Sequence, residues 1–203
     1  TGARGEKARR YVSHQNKGNP HMLIAFTPAS LNQALLAKSE YNFRRFTPIA
    51  MLANDPVLLV VHAEGPHKTL KGLVEAARKA PKSVLQGGGP YGNSAAMAGR
   101  LLEEHAKVSF SYTPFKGGGE AVVALLGKHV HFLLENPGEV EPHIKAGKMR
   151  PLAGSDKLPQ FQNVPTFAEA GYDMPVLKQF RAVMAPPDIP ADAAKYYIAL
   201  LER

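Results

Sequence analysis

The sequence predicts an α/β fold, and three observations carry that expectation. Strand-like apolar runs alternate with helical repeats along the whole chain, as when helices are layered on a sheet. Four times such a run passes through a short polar or glycine-rich turn straight into a helix start. The length of 203 residues supplies one large domain or two small ones with ample core.

The elements follow in chain order. Glu6–His14 reads as a helix with Ala8, Tyr11 and Val12 on its apolar face, and Lys17-Gly18-Asn19-Pro20 as a turn. A strand over Met22–Phe26 leads through Thr27-Pro28-Ala29-Ser30 to a short helix around Leu31–Ala37. Ile49–Ala53 and Val57–His62 are apolar runs parted by the turn chemistry of Asn54-Asp55-Pro56. Thr69 is placed to cap a helix carrying Leu70, Leu73, Val74 and Ala77, which Pro81 stops.

The next stretch repeats one device. A strand ends in Ser83-Val84-Leu85, Gly87, Gly88, Gly89 and Gly92 punctuate a loop, and Asn93 or Ser94 caps a helix carrying Met97, Ala98, Leu101 and Leu102. Val108–Tyr112 alternates as a strand and runs through Phe115-Lys116-Gly117-Gly118-Gly119 to a helix from Glu120. Val130–Leu134 is a third strand. Asn136 as N-cap, Pro137 as first helical residue and Glu139 three beyond the cap predict a capping box. That helix closes at Gly147, a C′ glycine. Met149–Gly154 reads as a strand, Ser155–Pro165 as an irregular loop, and Pro165–Ala170 as one helical turn closed by Gly171. Val176–Ala185 is a long strand, and Pro186-Pro187-Asp188-Ile189-Pro190 introduces a last helix.

Composition narrows the function classes. The chain has no cysteine, which excludes disulfides, thiolate metal sites and a cysteine nucleophile. No apolar run is long enough to span a membrane. The opening Thr1-Gly2-Ala3-Arg4-Gly5 is polar and is not a signal peptide, as expected of a cytosolic, mature or trimmed chain. The formal net charge of +8 invites nucleic acid, but the basic residues are scattered and no aromatic-interleaved basic strand occurs, so no nucleic-acid partner is expected. His129 and His131 fall on one side of a strand with Glu135 near, one ligand short of a convincing metal site. A solvated strand face is the expectation, with no metal and no cofactor. Ser94 has no evident histidine partner, no GxSxG elbow occurs, and no acid–base–nucleophile set assembles.

The loops themselves point to an anion. A bare loop feeding a helix N-terminus gathers unpaired N–H groups and the positive end of the helix dipole at one spot. Gly87, Gly89 and Gly92 fit a dinucleotide fingerprint, but the next strand ends in Tyr112-Thr113-Pro114 and not in the acid that would hold a ribose. Gly87 and Gly92 fit the frame of a P-loop, but Asn93 stands in place of its lysine. An enzyme binding a nucleotide or phosphorylated small molecule through the Gly87–Gly92 loop is the alternative reading. Several such helix starts at strand C-terminal ends suggest one cleft rimmed by backbone donors, suited to a small carboxylate.

Six ordered segments then carry a family resemblance. KGNPH (Lys17–His21), QGGGPYGNSAAMAGRLLEE (Gln86–Glu104), TPFKGGGEAVVALLGKHV (Thr113–Val130), ENPGEVEPHIKAGKMRPLA (Glu135–Ala153), NVPTFAEAG (Asn163–Gly171) and FRAVMAPPDIP (Phe180–Pro190) together resemble the Bug-type solute-binding receptors of the tripartite tricarboxylate transporter family. The resemblance implies a type II-like, Venus-flytrap periplasmic binding protein, monomeric and not an enzyme, that captures a di- or tricarboxylate for membrane permease subunits. It implies a first lobe of residues 1–62 and 176–203 and a second lobe of residues 63–175, with Val57–His62 and Val176–Ala185 as the strands between them. Carried over residue by residue, it places Thr27 and Ser30 in the first lobe's ligand loop. Gly88, Tyr91, Gly92, Asn93 and Ser94 fall in the second lobe's main loop, and Lys116, Gly117 and Gly118 in its neighbour. Glu135 and Asn136 match the Asp-Asn pair at the cleft floor. Family members run longer at both ends and begin with a strand and a loop that grips the carboxylate, so this chain is expected to lack one wall of the site.

Overall fold

The computed structural model describes residues 5–175 and 179–202. The chain forms two compact units, one of residues up to Asn54 together with those from Gln179 on, the other Asp55–Lys178. In chain order the elements are α1 (Glu6–Arg10), β1 (Ile24–Phe26), α2 (Pro28–Leu36), β2 (Thr47–Asp55), β3 (Leu58–His62), α3 (Leu70–Lys79), β4 (Leu85–Gly88), α4 (Ser94–Ala106), β5 (Ser111–Pro114), α5 (Gly118–Leu126), β6 (Phe132–Glu135), α6 (Pro137–Lys145), β7 (Met149–Gly154), β8 (Gln179–Ala185) and α7 (Ala191–Leu201). Among the described residues no helix is long and apolar enough to cross a membrane.

The first unit is built on a sheet in the order β1-β8-β2, with β1 and β8 antiparallel. Its core gathers Val12, Phe26 and Phe46, the two phenylalanine rings 5.1 Å apart. Thr27 caps α2 by accepting a hydrogen bond from the Ser30 N–H at 3.3 Å, so the helix starts at Pro28 and not at Leu31. α1 is shorter than expected and continues as a π-helical turn over Tyr11–Gln15. Residues 176–178 of the expected long strand lie outside the described residues, and β8 begins at Gln179.

The second unit has a sheet in the order β5-β4-β6-β3-β7. Its inner strands β3 and β6 are buried on both faces, and alternate residues serve alternate layers. Leu59, Val61, Phe132 and Leu134 pack with α3 and α4, while Leu58, Val60 and Leu133 pack with α5 and α6. The buried residues of α3 are Leu70, Leu73, Val74 and Ala77, the face its spacing predicts. The segment expected to join the lobes, Val57–His62, supplies β3, which pairs antiparallel with both β6 and β7. It therefore belongs to the second unit, and the units divide after Asn54 and before Gln179.

Several boundaries shift for identifiable reasons. β4 runs to Gly88, so Gly87 and Gly88 are strand and not loop. A Cβ at Gly87 would lie 2.8 Å from Leu133 Cδ2, and one at Gly88 2.5 Å from Tyr112 Oη. β5 starts only at Ser111, because the Phe110 N–H is taken by the Glu103 carboxylate. α5 starts at Gly118, two residues ahead of Glu120. His129 and His131 precede β6 and do not lie on it; His131 Nδ1 accepts from the Leu85 N–H at 2.9 Å. The Pro165–Ala170 segment is a turn, closed by the Thr166 N–H donating to Glu169 Oε2 at 2.8 Å and the Glu169 N–H donating to Thr166 Oγ1 at 3.1 Å.

Candidate functional site

β4 is parallel to both its neighbours, β5 and β6. Three adjacent parallel strands therefore end on one edge of the second unit's sheet. Each feeds a helix there, β4 into α4, β5 into α5 and β6 into α6. Open α/β sheets bind ligands at this edge, where helix N-termini and strand ends converge. Gly88, Tyr91, Gly92, Asn93, Ser94, Lys116, Gly117, Gly118, Glu135 and Asn136 all lie on these three connections. Thr27 and Ser30 lie at the start of α2 in the other unit.

The β4–α4 connection is held rigidly. Asn93 Oδ1 accepts from the Ala96 N–H at 2.8 Å and caps α4. Gly92 has φ +83°, in the left-handed region that favours glycine. Tyr112, absent from the sequence-derived set, fastens the turn from β5: its hydroxyl donates to the Gly89 carbonyl at 2.7 Å and lies 3.3 Å from Asn93 Oδ1. Its ring packs 5.3 Å from that of Tyr91. Burial, and then the nearby Glu135 charge, push the Tyr112 phenol's pKa upward, so it serves as a neutral donor. The structure explains its place: Gly88 is a strand glycine, and a strand glycine marks a place where another group approaches closely.

This arrangement makes a stability prediction. Asn93→Ala removes a helix cap and is expected to cost about 1 kcal/mol. Tyr112→Phe loses one hydrogen bond and is expected to cost about 0.5–1.5 kcal/mol. Because the two polar groups touch, the double variant should cost less than the sum. Urea unfolding of the four proteins measures the difference, and strict additivity would refute the shared network.

The β5–α5 connection is bare. Gly117 precedes α5 in an extended conformation without a side-chain cap. A Cβ at Gly117 or Gly119 would meet nothing within 4 Å, so packing does not demand these glycines. They leave the first turn of α5 with uncovered N–H groups. Lys116 points outward, with its ammonium 4.0 Å from Glu120 and its N–H donating to the same carboxylate at 3.1 Å.

The β6–α6 connection departs from expectation. Asn136 precedes Pro137 as predicted, but its side chain makes no capping bond, so the capping box does not form. Its Oδ1 is buried and has no hydrogen-bond partner. Glu135 is half-buried. Burial first and the Glu139 charge second push its carboxyl up to about 7, against a hydrogen bond from the Asn136 backbone N–H. An open cleft of about 590 Å³ adjoins this helix start, lined by Asp55, Asn136, Gly138, Glu139 and Gln160 among others. Chemically, the edge offers backbone N–H donors, a phenol, a carboxamide and a proton-holding carboxyl.

Comparison with known proteins identifies the family. Residues 21–197 match the family described as tripartite tricarboxylate transporter family receptor. Protein BugT of Bordetella pertussis is 32% identical over 162 residues, covering 78% of this chain and 50% of BugT. A UPF0065 protein from the tcbD-tcbE intergenic region of Pseudomonas sp. strain P51 is 31% identical over 129 residues, covering 63% of this chain and 38% of that protein. The chain thus spans about half the length of the first of these relatives and less of the second. Among solved structures, a Rhodopseudomonas palustris protein with adipate superposes with a TM-score of 0.87 at 25% identity, covering 98% of this chain and 68% of that one. MatC from the same organism, with bound malate, gives 0.85 at 26% identity, covering 100% and 70%. The periplasmic binding protein BugD shares the fold, with a TM-score of 0.82 at 21% identity over 99% of this chain and 68% of its own. The chain belongs to the tripartite tricarboxylate transporter receptor family, among its Bug-type members.

Proposed function

We propose that this chain is the ligand-binding part of an extracytoplasmic receptor that captures a small di- or tricarboxylate and presents it to membrane permease subunits. The observation that carries the reading is the convergence of the α4, α5 and α6 N-termini on one sheet edge, in a receptor family with neighbours named with adipate and malate. Backbone N–H groups at bare helix starts recognise carboxylate oxygens without a dedicated cation. In this reading Gly88, Tyr91, Gly92, Asn93, Ser94, Lys116, Gly117, Gly118, Glu135 and Asn136 line one side of the ligand. Thr27 and Ser30, at the start of α2, are the first lobe's proposed ligand residues. The protein acts in the periplasm, as a monomer, and binds without turnover.

A thermal-shift screen with adipate, malate and citrate, alongside ATP and NAD, tests this. A carboxylate at 100 times its dissociation constant should add about 2.7 kcal/mol of stability. Stabilisation by ATP or NAD alone would favour a nucleotide-binding enzyme instead. No response to any of the carboxylates would overturn the receptor reading.

A further inference from the structure

Glu135 occupies an unexpected place for an acid in a carboxylate site. A Cβ on Gly118 would lie 3.3 Å from its Oε2 and 3.4 Å from its Oε1. The carboxyl therefore lies beside Gly118, where α5 begins and where bare backbone would meet an anion. The groups around it do not neutralise it. From α6 comes Glu139, a second negative charge. From β5 comes the Tyr112 phenol, whose ionisation Glu135 opposes, with Tyr91 packed on its ring. Opposite on β3 stands Leu58, fully buried. On the segment entering α5, Lys116 is exposed and directed to Glu120. The adjacent strand β4 ends in Gly88, which has no side chain. Among the described residues no Lys, Arg or His is ion-paired with Glu135. Its raised proton affinity, to about 7, accords with that setting.

Two carboxylates brought to one helix start do not both stay ionised; one of the pair is driven to hold a proton. We propose that a carboxylate ligand and one proton enter this site together, the Glu135 carboxyl donating an O–H···O bond to the ligand's carboxylate. The proton comes from solvent, no ligand bond breaks, and the proton returns to solvent on release. Such charge-assisted bonds are short and strong, so Glu135 also selects ligands whose acceptor reaches α5. The site then loads better in acidic surroundings. The inference rests on the carboxylate-receptor reading above and deepens it.

Titration calorimetry of the protein with adipate, malate and citrate decides the matter. Runs at about pH 8 in two buffers of different ionisation enthalpy count the protons taken up per ligand. The expected uptake in the wild type is close to one. The dissociation constant should rise about tenfold per pH unit above about pH 7, where dicarboxylates are fully ionised. Glu135→Gln carries a permanent N–H donor and should bind with a nearly flat pH profile. The wild-type proton count stands even if that variant folds poorly. Binding with buffer-independent heat, or a Glu135→Gln profile as steep as the wild type's, overturns the proton linkage and leaves the receptor reading intact. Failure of all three ligands to bind either protein from about pH 6 to pH 8.5 overturns the receptor reading, and the linkage with it.

Discussion

Phe132→Ala is expected to lower the unfolding free energy by about 3–5 kcal/mol, the usual cost of emptying a fully buried aromatic site. Phe132 starts β6, has no exposed surface, and meets Phe110 edge-on with ring centroids 4.9 Å apart. It packs in the layer that also holds Leu59, Leu73 and Leu102. β6 is joined to β4 on one side and β3 on the other, so neither neighbour can collapse into the void without breaking a ladder. The same strand ends in Glu135 and leads to Asn136. The variant should therefore also weaken ligand binding, although Phe132 lies at the opposite end of the strand. Urea unfolding measures the first effect and calorimetry the second. A loss below about 1 kcal/mol would mean that the layer around Phe132 repacks freely, contrary to a close-packed core.

How much of this was legible in the sequence depended on whether local chemistry or tertiary approach decides. The starts of α3 and α4 were legible, because Thr69 and Asn93 act on N–H groups within their own first turn. The α3 face was legible because its period is local. Strand limits in the glycine-rich region were not. Gly87 and Gly88 resemble loop residues in isolation, yet they are strand because Leu133 and Tyr112 press against them from other strands. β5 starts late because Glu103, from a helix, takes the Phe110 N–H. The site was half legible. The spacing of three strand–turn–helix joins points to the converging helix starts, since parallel strands in one sheet align them. Tyr112 was missed because its role is a contact 23 residues away in sequence, between its hydroxyl and Gly89. Asn136 read as a cap because cap residues and position agree, but its side-chain oxygen is buried without a partner. The Val57–His62 run could be read as a connection between lobes. Its strand partners β6 and β7 put it inside one unit, a fact of pairing that no single segment states.

Glu135 should also impose a pH dependence on folding that is opposite in sign to the usual acidic residue. In the unfolded chain its carboxyl titrates near 4.5, and in the folded protein burial and Glu139 raise it to about 7. Between these values the folded state holds more protons than the unfolded state, so stability falls as pH rises. At and below about pH 4.5 the burial carries no charge penalty. Above about pH 7 the full penalty is present, of the order of 3 kcal/mol for that difference in proton affinity. His67 works the other way, since burial and His131 lower its pKa and stability is gained as pH rises through the ordinary histidine range. Wild-type stability alone therefore mixes opposed slopes, with Glu6, Glu64 and Glu169, whose carboxyls are held below the ordinary value, adding to that of His67 at the acidic end. The difference between Glu135→Gln and wild type isolates one of them, because the other shifted groups are common to both. The carboxamide that this substitution introduces is uncharged at any pH and retains an acceptor for the Asn136 N–H. The variant should match the wild type near pH 4.5 and exceed it by about 3 kcal/mol near pH 8. Urea unfolding of both proteins across that range measures the difference. A constant offset would show that Glu135 titrates alike in the folded and unfolded chain, and that the acid at the end of β6 is solvated and not held in a low-dielectric site.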